Sequence, residues 1–146
     1  MKRILFLALS LTLAAADPKE DPGKKDLAAM QGDWACDRME RDGMKFPDEA
    51  AQAYFRTVKG KAYTVYRFKK AVGKGTFTLD ATKSPRQIDL TLGDGPAKGK
   101  TVLGIYKIDG DTLTLCYGGP GGKRPAEFAT KEKSGHTLAV WSREKK

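Results

Sequence analysis

Gly75-Thr-Phe-Thr-Leu-Asp80, Gln87-Ile-Asp-Leu-Thr-Leu92, Thr101-Val-Leu-Gly-Ile-Tyr-Lys-Ile108 and Asp111-Thr-Leu-Thr-Leu-Cys-Tyr117 follow one another with little between them. Apolar and polar residues alternate through most of these runs, the signature of strands with one buried face. Asp109-Gly110 sits between the last two, the residue pair favoured in a two-residue hairpin turn. Pro85 and Gly93-Asp-Gly-Pro-Ala-Lys-Gly99 break the other joints. The result is a β-meander.

The same reading extends outward. Strands are predicted over 32–40, 54–58, 62–69 and 137–143, with turns at Asp42-Gly43 and Gly60. Residues 47–53 have Asp48 and Glu49 where a first helical turn favours acid, so a short helix is expected there. About eight strands joined by short turns make an all-β domain. An up-and-down barrel removes the free edges of such a meander, and a two-sheet β-sandwich is the alternative. Parity places Phe77, Leu79, Ile88, Leu90, Leu92, Leu103, Ile105, Leu113, Leu115, Leu138 and Val140 inward.

The N-terminus carries Lys2 and Arg3, an apolar run over 4–13, and Ala14-Ala15-Ala16. That is the pattern of a secretory signal with cleavage near Ala16, and its apolar run is short for a membrane span. Residues 1–16 are therefore expected to be a signal peptide, 17–26 a flexible charged leader, and 27–146 the barrel domain. The chain is expected to be exported, periplasmic or extracellular, with no transmembrane segment after cleavage. It keeps 18 acidic residues against 27 basic ones less the two in the signal, a net charge near +7. Export favours a bond between Cys36 and Cys116. Strand parity opposes it, because Cys36 shares a face with Trp34 whereas Cys116 lies on the Thr112/Thr114 face.

The sequence carries little that points to catalytic chemistry. The segment 93–101 has Asp94 where a phosphate-binding loop needs glycine, and strands flank it, so no nucleotide is expected. His136 is the single histidine, and no metal, cofactor or catalytic group is assigned. Residues 50–79 contain no acid. They interleave Arg56, Lys59, Lys61, Arg67, Lys69, Lys70 and Lys74 with aromatics, the composition of a polyanion-binding face.

Gly32-x-Trp34 at the first strand and Arg143 at the end of the last resemble the lipocalin and calycin signature. That resemblance implies that Trp34 packs under Arg143 across a closed barrel. Residues 27–34, 75–80, 85–90, 99–106, 110–117 and 124–128 are similar to an uncharacterised lipocalin-like secreted domain family of planctomycete bacteria. The resemblance covers 27–143 and implies a small secreted barrel without assigned catalytic residues. The functional expectation is a non-enzymatic extracytoplasmic protein that binds a small apolar or amphipathic ligand, or a cell-envelope partner. Tyr66, Phe68 and Tyr106 are the candidate ligand contacts near the rim. The alternative is a polyanion-binding surface module using the basic face from Arg56 to Lys74.

Overall fold

The computed structural model describes residues 21–145, so the predicted signal peptide and its cleavage site lie outside the described residues. The elements are α1 (Pro22–Met30), β1 (Gly32–Arg41), β2 (Met44–Lys45), α2 (Asp48–Gln52), β3 (Tyr54–Lys59), β4 (Ala62–Arg67), β5 (Lys70–Asp80), β6 (Arg86–Leu92), β7 (Thr101–Asp109), β8 (Thr112–Tyr117) and β9 (Thr137–Arg143). Each of β3 to β8 pairs antiparallel with the next, and β1 pairs with both β3 and β9. The eight long strands thus form a closed antiparallel barrel, with β2 as a two-residue addition beside β1. Closure leaves no sandwich of separate sheets.

Residues 22–26, expected in a flexible leader, instead form the first half of α1. The reason is local. The Asp21 side chain accepts a bond from the Gly23 N–H at 3.0 Å, and Pro22 occupies the first turn, where its missing donor costs nothing. The helix then turns Leu27 and Met30 onto the barrel core at one end. Ala51 of α2 and Phe46 pack onto the core at the other.

The lumen is packed solid near its centre. Trp34, Cys36, Phe77, Ile88, Leu113, Leu115 and Trp141 are all essentially inaccessible and belong to one cluster. Cys36 lies inside this wall and Cys116 outside it, so both thiols are buried and free, and no disulfide forms.

Parity fails on two strands. Ile88 pairs with Gly104 and Leu115 with Ala139, and paired residues share a side of the sheet. Val102, Gly104 and Tyr106 therefore face in with Ala139 and Trp141, and the expected lumenal residues Leu103, Ile105, Leu138 and Val140 face out. Alternation misleads here because both faces are covered. Phe128, from the long β8–β9 connection, packs on Ile105, Cys116 and Leu138 outside the barrel. Arg124 ties the same connection to the wall, donating to the Gly104 carbonyl at 2.7 Å and to Asp89 at 2.6 Å.

Candidate functional site

One end of the barrel is held by Trp34 and Arg143. They are cross-strand partners, and the guanidinium lies 4.3 Å from the indole centroid. Arg143 also donates to the carbonyls of Gln31 and Ala29, each at 2.6 Å, and Trp34 donates to Met30 at 3.0 Å. The end of α1 would otherwise leave such carbonyls without partners. The pair therefore docks the helix as well as closing the sheet.

A second polar group lies under the same helix. Asp26 is buried, accepts the Tyr106 hydroxyl at 2.6 Å, and receives Arg86 on both oxygens at 3.1 and 3.2 Å. Burial first, then the Asp26 hydrogen bond, pushes the Tyr106 pKa well above the ordinary tyrosine value. Tyr106 is thus a structural residue of the packed interior, not a free rim aromatic.

Arg56 is the residue that changes the functional picture. It was expected on an outer basic face, but it lies inside the barrel and is 3% exposed. Register explains this. Arg56 pairs with Trp34 on one side and Val65 on the other, and it is two residues from buried Val58. Its guanidinium carbon is 4.5 Å from the Tyr63 ring centroid and 6.0 Å from that of Trp141. Burial holds its pKa below the usual arginine value, with Tyr117 and Tyr63 acting in the opposite direction. It nevertheless stays a cation near neutral pH.

No acceptor meets this cation. Arg56 Nε and Nη2 and Trp141 Nε1 are fully buried and have no hydrogen-bond partner. Asp26 is the one buried carboxylate among the described residues, and Arg86 and Tyr106 already occupy it. Three unsatisfied donors packed among aromatic side chains call for an acceptor, since an unpaired buried charge is costly. Parity with Val58 was the sequence signal for Arg56. The Trp141 donor had none.

The remaining predicted contacts separate. Tyr66 pairs with outward Phe55 and lies outside the lumen. It borders a shallow groove of about 380 Å³ with Asp33, Phe55, Thr57, Lys69 and Glu144. Phe68 sits at the tip of the β4–β5 hairpin and is 70% exposed. Lys59, Lys61, Arg67, Lys69, Lys70 and Lys74 are exposed, so the basic face exists without Arg56. A further groove of about 350 Å³ runs between α1 and β5, lined by Leu27, Phe77 and Leu79 with Lys24, Lys61 and Asp80.

His136 is half-buried beside Ser134. Among the described residues, no group of three or more His, Cys, Asp or Glu side chains is placed to hold a metal ion. Nor is any described helix long and apolar enough to cross a membrane. No family model matches the chain, and no curated protein matches it in sequence.

Proposed function

We propose that this protein is a non-enzymatic, exported binding barrel whose ligand is a small amphipathic carboxylate, held by its head group on Arg56 and the Trp141 indole N–H. Its likeness to lipocalin-like secreted domains belongs to the same proposal. One observation carries it: three buried donors, on Arg56 and Trp141, lack an acceptor. All three atoms carry N–H groups, so the missing partner is an acceptor, and the guanidinium charge favours an oxyanion over a neutral one. A carboxylate suits a guanidinium, which offers parallel donors to two oxygens. The aromatic surroundings of Tyr63 and Trp141 suit an apolar segment beside the charge. The lumen is densely packed, so a ligand there is short and displaces side chains to enter.

The test is a thermal-shift series with straight-chain carboxylates from acetate to octanoate, in a buffer low in other anions. A ligand at a hundred times its Kd adds about 2.7 kcal/mol to the folded state. Wild type should therefore melt several degrees higher with the best member, and Arg56→Met should not respond. No shift with any carboxylate, or an equal shift in the variant, refutes the assignment.

A further inference from the structure

The β4–β5 hairpin is built unlike the rest of the barrel. β6 first meets β5 at Gly75, which pairs with Leu92. Residues 70–74 therefore precede the β6 ladder and pair only with β4, apart from two bonds at Lys74: its carbonyl accepts the Gly93 N–H and its N–H donates to the Asp94 side chain. At about 3.3 Å per residue β5 extends roughly 16 Å past the first β5–β6 pair on that side. On the other side β4 stays paired with β3 as far as Arg67, and the Phe68 N–H donates to the Ala53 carbonyl at 3.0 Å. The hairpin tip is Arg67-Phe68-Lys69-Lys70, with Phe68 at φ 48° and Lys69 at φ 65°. Asn-Gly fits such a left-handed turn far more cheaply than a phenylalanine and a lysine do.

The apex is apolar and its collar is cationic. Phe68 is 70% and Val72 55% exposed, two of the three large apolar residues the described surface leaves open. Arg67 reaches back over the Phe68 ring at 5.4 Å and the Tyr54 ring at 5.7 Å. Arg67, Lys69, Lys70 and Lys74 are exposed, and none enters an ion pair among the described residues. No acidic residue occurs between Glu49 and Asp80, and Asp94 meets the hairpin only at its base, through the Lys74 N–H.

We propose that this tip docks the protein on an anionic membrane surface. Phe68 and Val72 enter the interfacial layer while Arg67, Lys69 and Lys70 lie among the lipid phosphates. The placement favours lipid over nucleic acid or acidic polysaccharide. An exposed apolar apex is suited to entering an acyl boundary, with cations left at headgroup depth. Single-strand binders instead spread aromatic platforms along a groove. Met44, 73% exposed on β2, opens at the same end of the barrel. The proposal is independent of the lumenal carboxylate.

The test is flotation of the protein with phosphatidylcholine vesicles that contain or lack about 30% phosphatidylglycerol, since basic residues respond to anionic leaflets. Binding should require the anionic lipid and weaken with salt. Lys69→Glu and Lys70→Glu should each weaken it about fivefold or more. Phe68→Ser should weaken it roughly ten- to hundredfold. Phe68→Trp should retain binding, and its indole emission should be quenched by brominated lipid. Absence of binding to anionic vesicles overturns the proposal, as does equal binding by Phe68→Ser and wild type. Retention on heparin that ignores Phe68→Ser, without vesicle binding, assigns the lysines to a soluble polyanion and also overturns it.

Discussion

Replacing Arg56 by methionine removes a charge from the barrel interior while nearly preserving its volume and its fit beside Tyr63 and Trp141. The guanidinium is buried, and two of its nitrogens lack acceptors. Desolvating such an ion costs several kcal/mol. The Tyr63 ring at 4.5 Å and the more distant Trp141 ring return about 0.5–2 kcal/mol. The difference predicts that Arg56→Met stabilises the ligand-free protein by about 1–3 kcal/mol. For a domain of this size each kcal/mol moves Tm by about 3–4 °C, so the variant should melt roughly 3–10 °C higher. Urea denaturation in an anion-poor buffer gives the free energy directly. Lys61→Met serves as the control, since an exposed substitution usually stays within about 0.5 kcal/mol. Loss of more than about 1 kcal/mol in Arg56→Met, with an unchanged urea slope, would refute the reasoning. The guanidinium would then be satisfied inside the ligand-free barrel, and no acceptor would be missing. A residue that costs stability yet sits at the centre of the fold is understandable if binding uses its charge.

Arg143→Ala should destabilise the protein by about 2–3 kcal/mol in denaturant melts, because it leaves the Gln31 and Ala29 carbonyls unmet and uncovers Trp34. Hydrogen exchange should rise first in α1. Burial pushes the Cys36 thiol from 9.0 up to about 11. The unfolded chain therefore loses that proton at lower pH than the folded one, and keeping it contributes stability. That stability is present below pH 9 and lost as pH rises towards 11. Tyr63, Tyr106 and Tyr117, also raised by burial, deepen the loss above about pH 10. Urea midpoints measured from pH 7 to 11 check the sign; a midpoint that rises in this window contradicts it. Without reductant, thiol titration should find no rapidly reacting group in the native state and two after unfolding. Gly75→Ala should cost about 2–3 kcal/mol, since a methyl there would collide with the Thr91 carbonyl and stand 2.8 Å from the Tyr63 hydroxyl. A melt within 1 °C of wild type would show that β5 can shift freely.

Much of the architecture is readable in the chain alone. Alternation in 75–80, 87–92 and 111–117 needs only a one-sided burial to become strands, and Asp109-Gly110 needs only its local turn geometry. Gly32-x-Trp34 and Arg143 marked the two ends that meet only through their likeness to the lipocalin and calycin signature. Sidedness was a different matter. Alternation reports which residues avoid water, and on β7 and β9 the 118–136 connection dries the outer face as well, so Ile105 and Leu138 read like lumenal residues. Asp26 looked like part of a solvated leader until α1 laid it against Tyr106 and Arg86. The same held for Arg56. Its charge grouped it with the surface lysines, whereas its register with Trp34 and Val65 turned it inward. Local sequence determines which segments pair and where they bend. Only closure of the barrel decides which side of each strand becomes the interior, because that depends on contacts between residues more than a hundred positions apart, such as Trp34 and Arg143.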